Sequence, residues 1–337
     1  MNSYERVLAA LSMQPVDRTP VCPFVMAFAA KFAQVPYGSY CTDYRKMAQA
    51  QMAVVERFGY DIVTADTDAY REAEACGALI EFPQDDLPIE KKQAIVDKKD
   101  LLKLKLPVIQ DSVRLADKVA GVAELNRLGG GEVPVLGWIE GPYQSAAIMR
   151  GLTEFMMDSV EDESFVNELL QFTTELAINF GVAQAEAGAH IIGIGDAVAS
   201  LISPRNYESY VLSHTKRVVE ALQSKGAKVK YHICGDASHL LDYIKELGVD
   251  LVNIDSKVDL ATARSTLSNV CIKGNLNPSD ILLKGSEAKV LTEAKKCIEI
   301  GGLGYMLSPG CEVPKDTPQE NFNALVRAAK LVAAGEI

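Results

Sequence analysis

A histidine and two cysteines have the types and spacing to hold a metal. In Tyr231-His232-Ile233-Cys234-Gly235 the histidine and cysteine are two apart, and on a strand, side chains two apart point to the same side. Cys311 follows another apolar run, in Ser308-Pro309-Gly310-Cys311-Glu312. A His-Cys-Cys set gives Zn²⁺ three ligands and leaves one tetrahedral position open, as in catalytic rather than structural zinc sites. A thiol entering that position is deprotonated in the metal's field. Soft sulfur ligands keep the resulting thiolate nucleophilic toward soft carbon, above all a methyl group. A lone His-x-Cys also arises by chance, because cysteine is a common buried residue. The second cysteine at another strand end is what argues for a site.

Such groups need a scaffold that brings strand ends together. Four apolar, β-rich runs in the second half, 190–196, 228–234, 250–255 and 270–275, are each followed by a helical pattern, and Gly304–Ser308 makes a fifth. In the first half, 20–26, 60–64 and 134–140 read the same way. Helical periodicity predicts helices over 43–58, 111–128, 162–187, 204–224, 238–247, 286–300 and 318–334, several opening at Ser, Asp or Pro and several stopping at Gly. Eight strands alternating with helices predict a single-domain (β/α)8 TIM barrel, α/β in class, with an N-terminal helical segment. The charged, irregular insertion at about 66–111 is expected to form a hairpin or lid. An open doubly wound sheet is the alternative, but no Gly-x-Gly-x-x-Gly turn follows the first strand. In a barrel, catalytic groups sit on the C-terminal rim, where His232, Cys234 and Cys311 fall.

Composition narrows the function classes. With 48% hydrophobic and 23% charged residues the chain is ordinary globular protein. Its net charge of −11 argues against nucleic acid, which requires a basic face. The opening Met1-Asn2-Ser3-Tyr4-Glu5-Arg6 lacks the layout of a signal peptide and no apolar run is long enough to span a membrane, so a cytoplasmic protein is expected. The seven cysteines, odd in number and without framework spacing, fit free thiols or metal ligands better than disulfides.

The runs Tyr231–Gly235, Asn253–Asp259, Gly274–Pro278 and Leu307–Pro314 resemble the uroporphyrinogen decarboxylase superfamily, and within it the zinc-dependent methylcobalamin:coenzyme M methyltransferase branch. Arg6–Ser12, Pro15–Val21 and Gly141-Pro142-Tyr143 resemble other parts of the superfamily pattern, so the resemblance covers nearly the whole chain. It implies zinc on His232, Cys234 and Cys311, a thiol substrate such as coenzyme M, and methylcobalamin as co-substrate. No Asp-x-His-x-x-Gly cobalamin signature is present, so a separate corrinoid protein is the expected partner. Where the decarboxylases carry Arg-Gln-Ala-Gly-Arg for the porphyrin's carboxylates, this chain has Val25–Lys31, and the lost arginines argue against a polyanionic tetrapyrrole. Asp68 matches the acid of the decarboxylase site but is read as ancestry rather than decarboxylation.

Further candidates are less specific. Asp196 and Asp255 each end a strand, where an acid orients a zinc ligand or binds substrate, or else caps a helix or closes a loop; the sequence favours neither. Glu140 is a candidate to complete the metal shell when no thiol is bound, or to orient the rim. Tyr143, in the Gly-Pro-Tyr turn, is a candidate substrate contact, and Asn275, ending a strand, either contacts a ligand or satisfies backbone groups. His190, His214 and His239, and Cys22, Cys41, Cys76, Cys271 and Cys297, are expected to be structural, and Trp138 to be core. The alternative functions are the opposite half-reaction, transfer from methanol, a methylamine or an aryl methyl ether to cob(I)alamin, then a metal-free lyase, then a non-enzymatic module with structural zinc.

Overall fold

The computed structural model describes residues 1–337. Seven of the predicted runs form strands: β1 (Val63–Ala65) and, after a hairpin of β2 (Leu79–Glu81) and β3 (Ile89–Lys92), β4 (Val135–Glu140), β5 (Ile191–Gly195), β6 (Lys228–Ile233), β7 (Leu251–Ile254), β8 (Cys271–Leu276) and β9 (Tyr305–Pro309). They make one parallel sheet in the order β1-β4-β5-β6-β7-β8-β9. Every residue of β1, β4, β5, β7 and β9 is buried, as expected where one face lines a packed interior and helices cover the other. The predicted helices fill the connections. Asp43, Asp162 and Ser286 cap three of them through their side chains. The predicted helix 204–224 runs through one wider π turn at Glu208–Leu212.

The first predicted strand, 20–26, departs from expectation. It makes only isolated parallel bridges, Val21 to Leu307 and Phe24 to Glu312. Pro20 and Pro23 lack amide hydrogens, so this stretch cannot sustain a continuous ladder. It still completes the ring. Leu307 N donates to Pro20 O (2.8 Å) and Cys22 N to Leu307 O (2.9 Å) on the β9 side, while Asp61 N, just before β1, donates to Val21 O (2.8 Å). Asp61 also holds this seam to the N-terminal helix Ser3–Leu11 through Arg6 Nη1 (2.8 Å).

Segment 66–111 contains a short helix, Arg71–Ala75, the β2–β3 hairpin, and two 3₁₀ turns at Lys98–Lys103 and Ile109–Asp111. The buried apolar side chains join into one cluster, and no helix is long and apolar enough to cross a membrane. Two glycines shape the interior: a Cβ on Gly193 or Gly195 would come within 2.5 or 2.7 Å of the Trp138 indole. Bare β5 is thus what admits the chain's one tryptophan to the barrel centre.

Candidate metal centre

His232 ends β6 facing inward, in register with Gly195 on one side and Asn253 on the other. Its Nδ1 lies 3.0 Å from the Asn253 carbonyl. A carbonyl only accepts, so Nδ1 carries the proton and Nε2 presents its lone pair. That lone pair faces Cys234 Sγ at 2.9 Å, and Cys234 Sγ lies 3.1 Å from Cys311 Sγ. The three donor atoms all lie within 4.8 Å of one another. An ion bonded tetrahedrally at about 2.0–2.3 Å sets such donors about 3.5–3.8 Å apart, so these two contacts need open by only about 0.6–0.7 Å to admit Zn²⁺. A hydrogen bond from Cys234 draws the Cys311 thiol down despite burial, while the same contact pushes Cys234 up, so the pair shares one proton. His232 is 6% exposed and both cysteines are half-buried.

Cys311 is positioned by a tight approach of main chains. A Cβ on Gly310 would meet Ser256 N at 2.4 Å, so only glycine lets the loop after β9 pack onto the loop after β7. Gly310 N donates to Leu276 O (2.8 Å), and Asn253 Nδ2 donates to Gly310 O (3.2 Å). Glu312 Oε1 accepts from Ala27 N (2.9 Å), and burial pushes its carboxyl up to about 7.

Beneath the triad Trp138 stacks on Phe24, centroids 5.0 Å apart, as the core residue expected. Two buried lysines stand there too. Lys230 Nζ lies 4.5 Å from the Trp138 ring, and Lys273 Nζ donates to Asn253 Oδ1 at 3.0 Å. Burial depresses Lys273 to about 8 and Lys230 well below its usual value. Sequence reading missed both, although the parity of Lys230 with His232 was a signal that it points inward.

Glu140 lies two strands from His232, across Gly195 in register. Its Oε1 accepts from Trp138 Nε1 at 3.0 Å, its amide donates to Glu72 Oε1 at 2.8 Å, and Arg71 Nη2 is 3.9 Å away. Burial and the neighbouring Glu72 push its carboxyl well up. It belongs to a buried charge network with Asp66, Asp68, Arg71, Glu72, Arg114 and Lys118 around the ends of β1 and β4. Asp68 is fully engaged: Oδ2 accepts from Arg114 and from Thr67 Oγ1 (2.7 Å), and Oδ1 accepts from Tyr70 N (3.0 Å). Burial pushes its carboxyl up, but Arg114 and Arg71 outweigh that and hold it low.

The other predicted residues make no hydrogen bond to the triad's donor atoms. Asp196 Oδ2 accepts from Tyr231 Oη at 3.0 Å, and Tyr231 Oη in turn accepts from Tyr207 Oη at 3.1 Å. Asp255 closes its own loop, accepting from Lys257 N at 3.0 Å. The Asn275 amide donates to the carbonyls of Asp255 (3.3 Å) and Val258 (2.6 Å). Tyr143 is buried, edge-on to Phe155, with its hydroxyl 3.6 Å from Met156 Sδ. His190, His214 and His239 contact Val135 N, Thr174 Oγ1 and Ile202 O, respectively. All seven cysteines are free.

Two thiols and an imidazole converging at the strand ends of a parallel α/β barrel make a donor set that could hold a soft metal ion. The chain belongs to the uroporphyrinogen decarboxylase (URO-D) family, whose pattern matches residues 2–332. It is 31% identical to the methylcobamide:CoM methyltransferase MtbA of Methanosarcina acetivorans, with 97% of each chain covered. It is 28% identical to the methylcobamide:CoM methyltransferase MtaA of Methanosarcina barkeri, with 96% of each covered. A solved methyltransferase from Methanosarcina mazei superposes with a TM-score of 0.91 at 26% identity, covering 98% of this chain and 99% of that one.

Proposed function

We propose that this protein is a zinc-dependent methyltransferase that moves a methyl group from a methylated corrinoid, presented by a separate corrinoid protein, to a thiol such as coenzyme M. The observation that carries the reading is the triad, with His232 Nε2 and the sulfurs of Cys234 and Cys311 turned toward one point and the His232 tautomer fixed by the Asn253 carbonyl. The named activities of MtbA and MtaA support the choice of methyl donor and acceptor. Zn²⁺ held by these three residues would supply a fourth position that acidifies a thiol while leaving its sulfur nucleophilic.

His232 and the two cysteines would hold the metal at the strand ends, and the Trp138–Phe24 floor closes the barrel beneath them. The thiol loses its proton to solvent at the rim. Its sulfur then attacks the methyl carbon, the C–S bond forms as the Co–C bond breaks, and the electron pair of the Co–C bond stays on cobalt, so methylcob(III)alamin becomes cob(I)alamin. The methyl-bearing face of the corrinoid approaches over the C-terminal rim, since helices surround the barrel. Seven free thiols fit a reducing compartment, the cytoplasm.

Methyl transfer from free methylcobalamin to coenzyme M, followed by the cob(I)alamin spectrum, tests this with wild-type, Cys311→Ala and chelator-treated protein side by side. Transfer by wild type that is lost in both treated samples supports the reading. No transfer by zinc-loaded wild type overturns it for that thiol, and activity with a methyl ether and cob(I)alamin would then assign the opposite half-reaction.

A further inference from the structure

Asn253 touches both halves of the triad from a strand that carries none of it. Its main-chain carbonyl accepts from His232 Nδ1 (3.0 Å), on β6. Its side-chain Nδ2 donates to Gly310 O (3.2 Å), the residue before Cys311. The amide has only one workable orientation: Oδ1 faces the Lys273 ammonium at 3.0 Å, and the three acceptors around Nδ2, the carbonyls of Gly310, Ile254 and Lys273, are all main-chain oxygens at 3.2–3.4 Å. Asn253 is 3% exposed, so none of these contacts has water as a ready substitute.

We propose that Asn253 is the positioning residue of the metal centre: Lys273 orients its amide, the amide holds the Cys311 loop, and the carbonyl aims the imidazole, so that both ligand groups meet at one point. The inference rests on the triad being a metal site. Partners of this kind are worth about 10–100-fold in metal affinity.

Asn253→Asp separates positioning from mere packing. The variant keeps the side-chain shape and gives buried Lys273 a carboxylate partner, but it replaces the Nδ2 donor with an acceptor facing Gly310 O. A residue needed only to satisfy Lys273 would leave Asn253→Asp as stable as wild type and as good a metal binder. A positioning residue would weaken the metal, beyond the drop in melting that an oxygen facing three buried carbonyls brings. Zinc competition against a chromogenic chelator and the absorption bands of cobalt-substituted protein are read on wild type, Asn253→Asp and Asn253→Ala, alongside thermal melts. The expected result is a Kd about 10–100-fold higher in both variants, with a displaced thiolate-to-cobalt band, while Asn253→Asp melts below wild type but still cooperatively. Unchanged metal affinity and spectrum in Asn253→Asp would overturn the role of Asn253. Wild-type protein that takes up neither zinc nor cobalt would instead overturn the metal reading itself. Should Asn253→Ala fail to fold, Asn253→Asp alone decides.

Discussion

Asp61→Ala puts a number on how the barrel is closed. Asp61 is fully buried and takes hydrogen bonds from Arg18 Nη1 (2.7 Å) and Nη2 (2.8 Å), Arg6 Nη1 (2.8 Å), Ser3 Oγ (2.8 Å) and Val21 N (2.8 Å). Arg6 keeps a second carboxylate, Asp17, in the variant. Arg18, only 13% exposed, loses its one anionic partner, and the Val21 amide on the seam loses its acceptor. Breaking one buried pair costs about 3–5 kcal/mol. At about 2.1 cal/mol/K per residue, the 337-residue chain has an unfolding entropy of about 0.7 kcal/mol/K, so Tm should fall by about 4–7 °C. Calorimetric melts read this directly. Because Asp61 precedes β1, at the rim opposite the triad, zinc affinity and methyl transfer measured well below Tm should stay at wild-type values. A fall in Tm of less than about 1 °C would refute the reasoning that this carboxylate holds the irregular seam in place of a ladder. Zinc loss at unchanged Tm would refute the separation of the two rims.

Two further outcomes follow from the interior. Gly195→Ala places a Cβ 2.7 Å from Trp138 Cζ2 while Phe24 and Glu140 hold the indole, so overpacking should cost about 1–3 kcal/mol in denaturant melts. Emission of this single tryptophan should shift with it, and an unshifted spectrum at wild-type stability would show that the indole has room to move. Asp196 is pushed up from 3.8 to about 7 by burial, against the opposing hydrogen bonds of Tyr231 and the Gln144 amide. The folded state therefore keeps a proton that the unfolded chain releases between about pH 4 and 7, and this contribution to stability falls as pH rises through that window. Asn cannot ionise, so the Tm of Asp196→Asn minus that of wild type should grow from pH 4 to pH 7 and then level off. A difference that is flat or shrinks with pH counts against a buried, protonated Asp196.

What the chain discloses in one dimension depends on how local the cause is. The apolar runs of β4 to β9 and the His-x-Cys spacing are legible because strand periodicity alone decides which side chains share a face. Segment 20–26 reads as a strand by the same rule, yet Pro20 and Pro23 reduce it to bridges, a consequence of hydrogen-bond supply rather than hydrophobicity. The acceptor for His232 was sought among acids at strand ends, Asp196 and Asp255. It is the main-chain carbonyl of Asn253, which only the β6–β7 register brings opposite His232. Lys230 and Lys273 escaped notice for the opposite reason: lysine normally marks a solvent face, and their burial depends on Trp138, Phe24 and Asn253 arriving from other strands.

The barrel mouth divides into a thiol side at the ends of β6 and β9 and a charged side at the ends of β1 and β4, with Trp138 and Phe24 between them. The two sides are equipped for different chemistry. Decarboxylation leaves a carbanion that must receive a proton, so it needs an acid or a base free to exchange one. Asp68 has both oxygens committed to Arg114, Thr67 and Tyr70. Glu140 is held through Oε1 alone, by Trp138, and its carboxyl, pushed up by burial beside Glu72, keeps its proton in the interior. Methyl transfer to sulfur asks for none of this, because the methyl carbon arrives and leaves with its hydrogens and the only proton to be lost comes off the thiol. A charged side turned largely to internal pairs therefore costs such a reaction nothing. It leaves the thiol side, with one proton shared between Cys234 and Cys311, as the part of the mouth that can take up a soft metal and exchange a ligand.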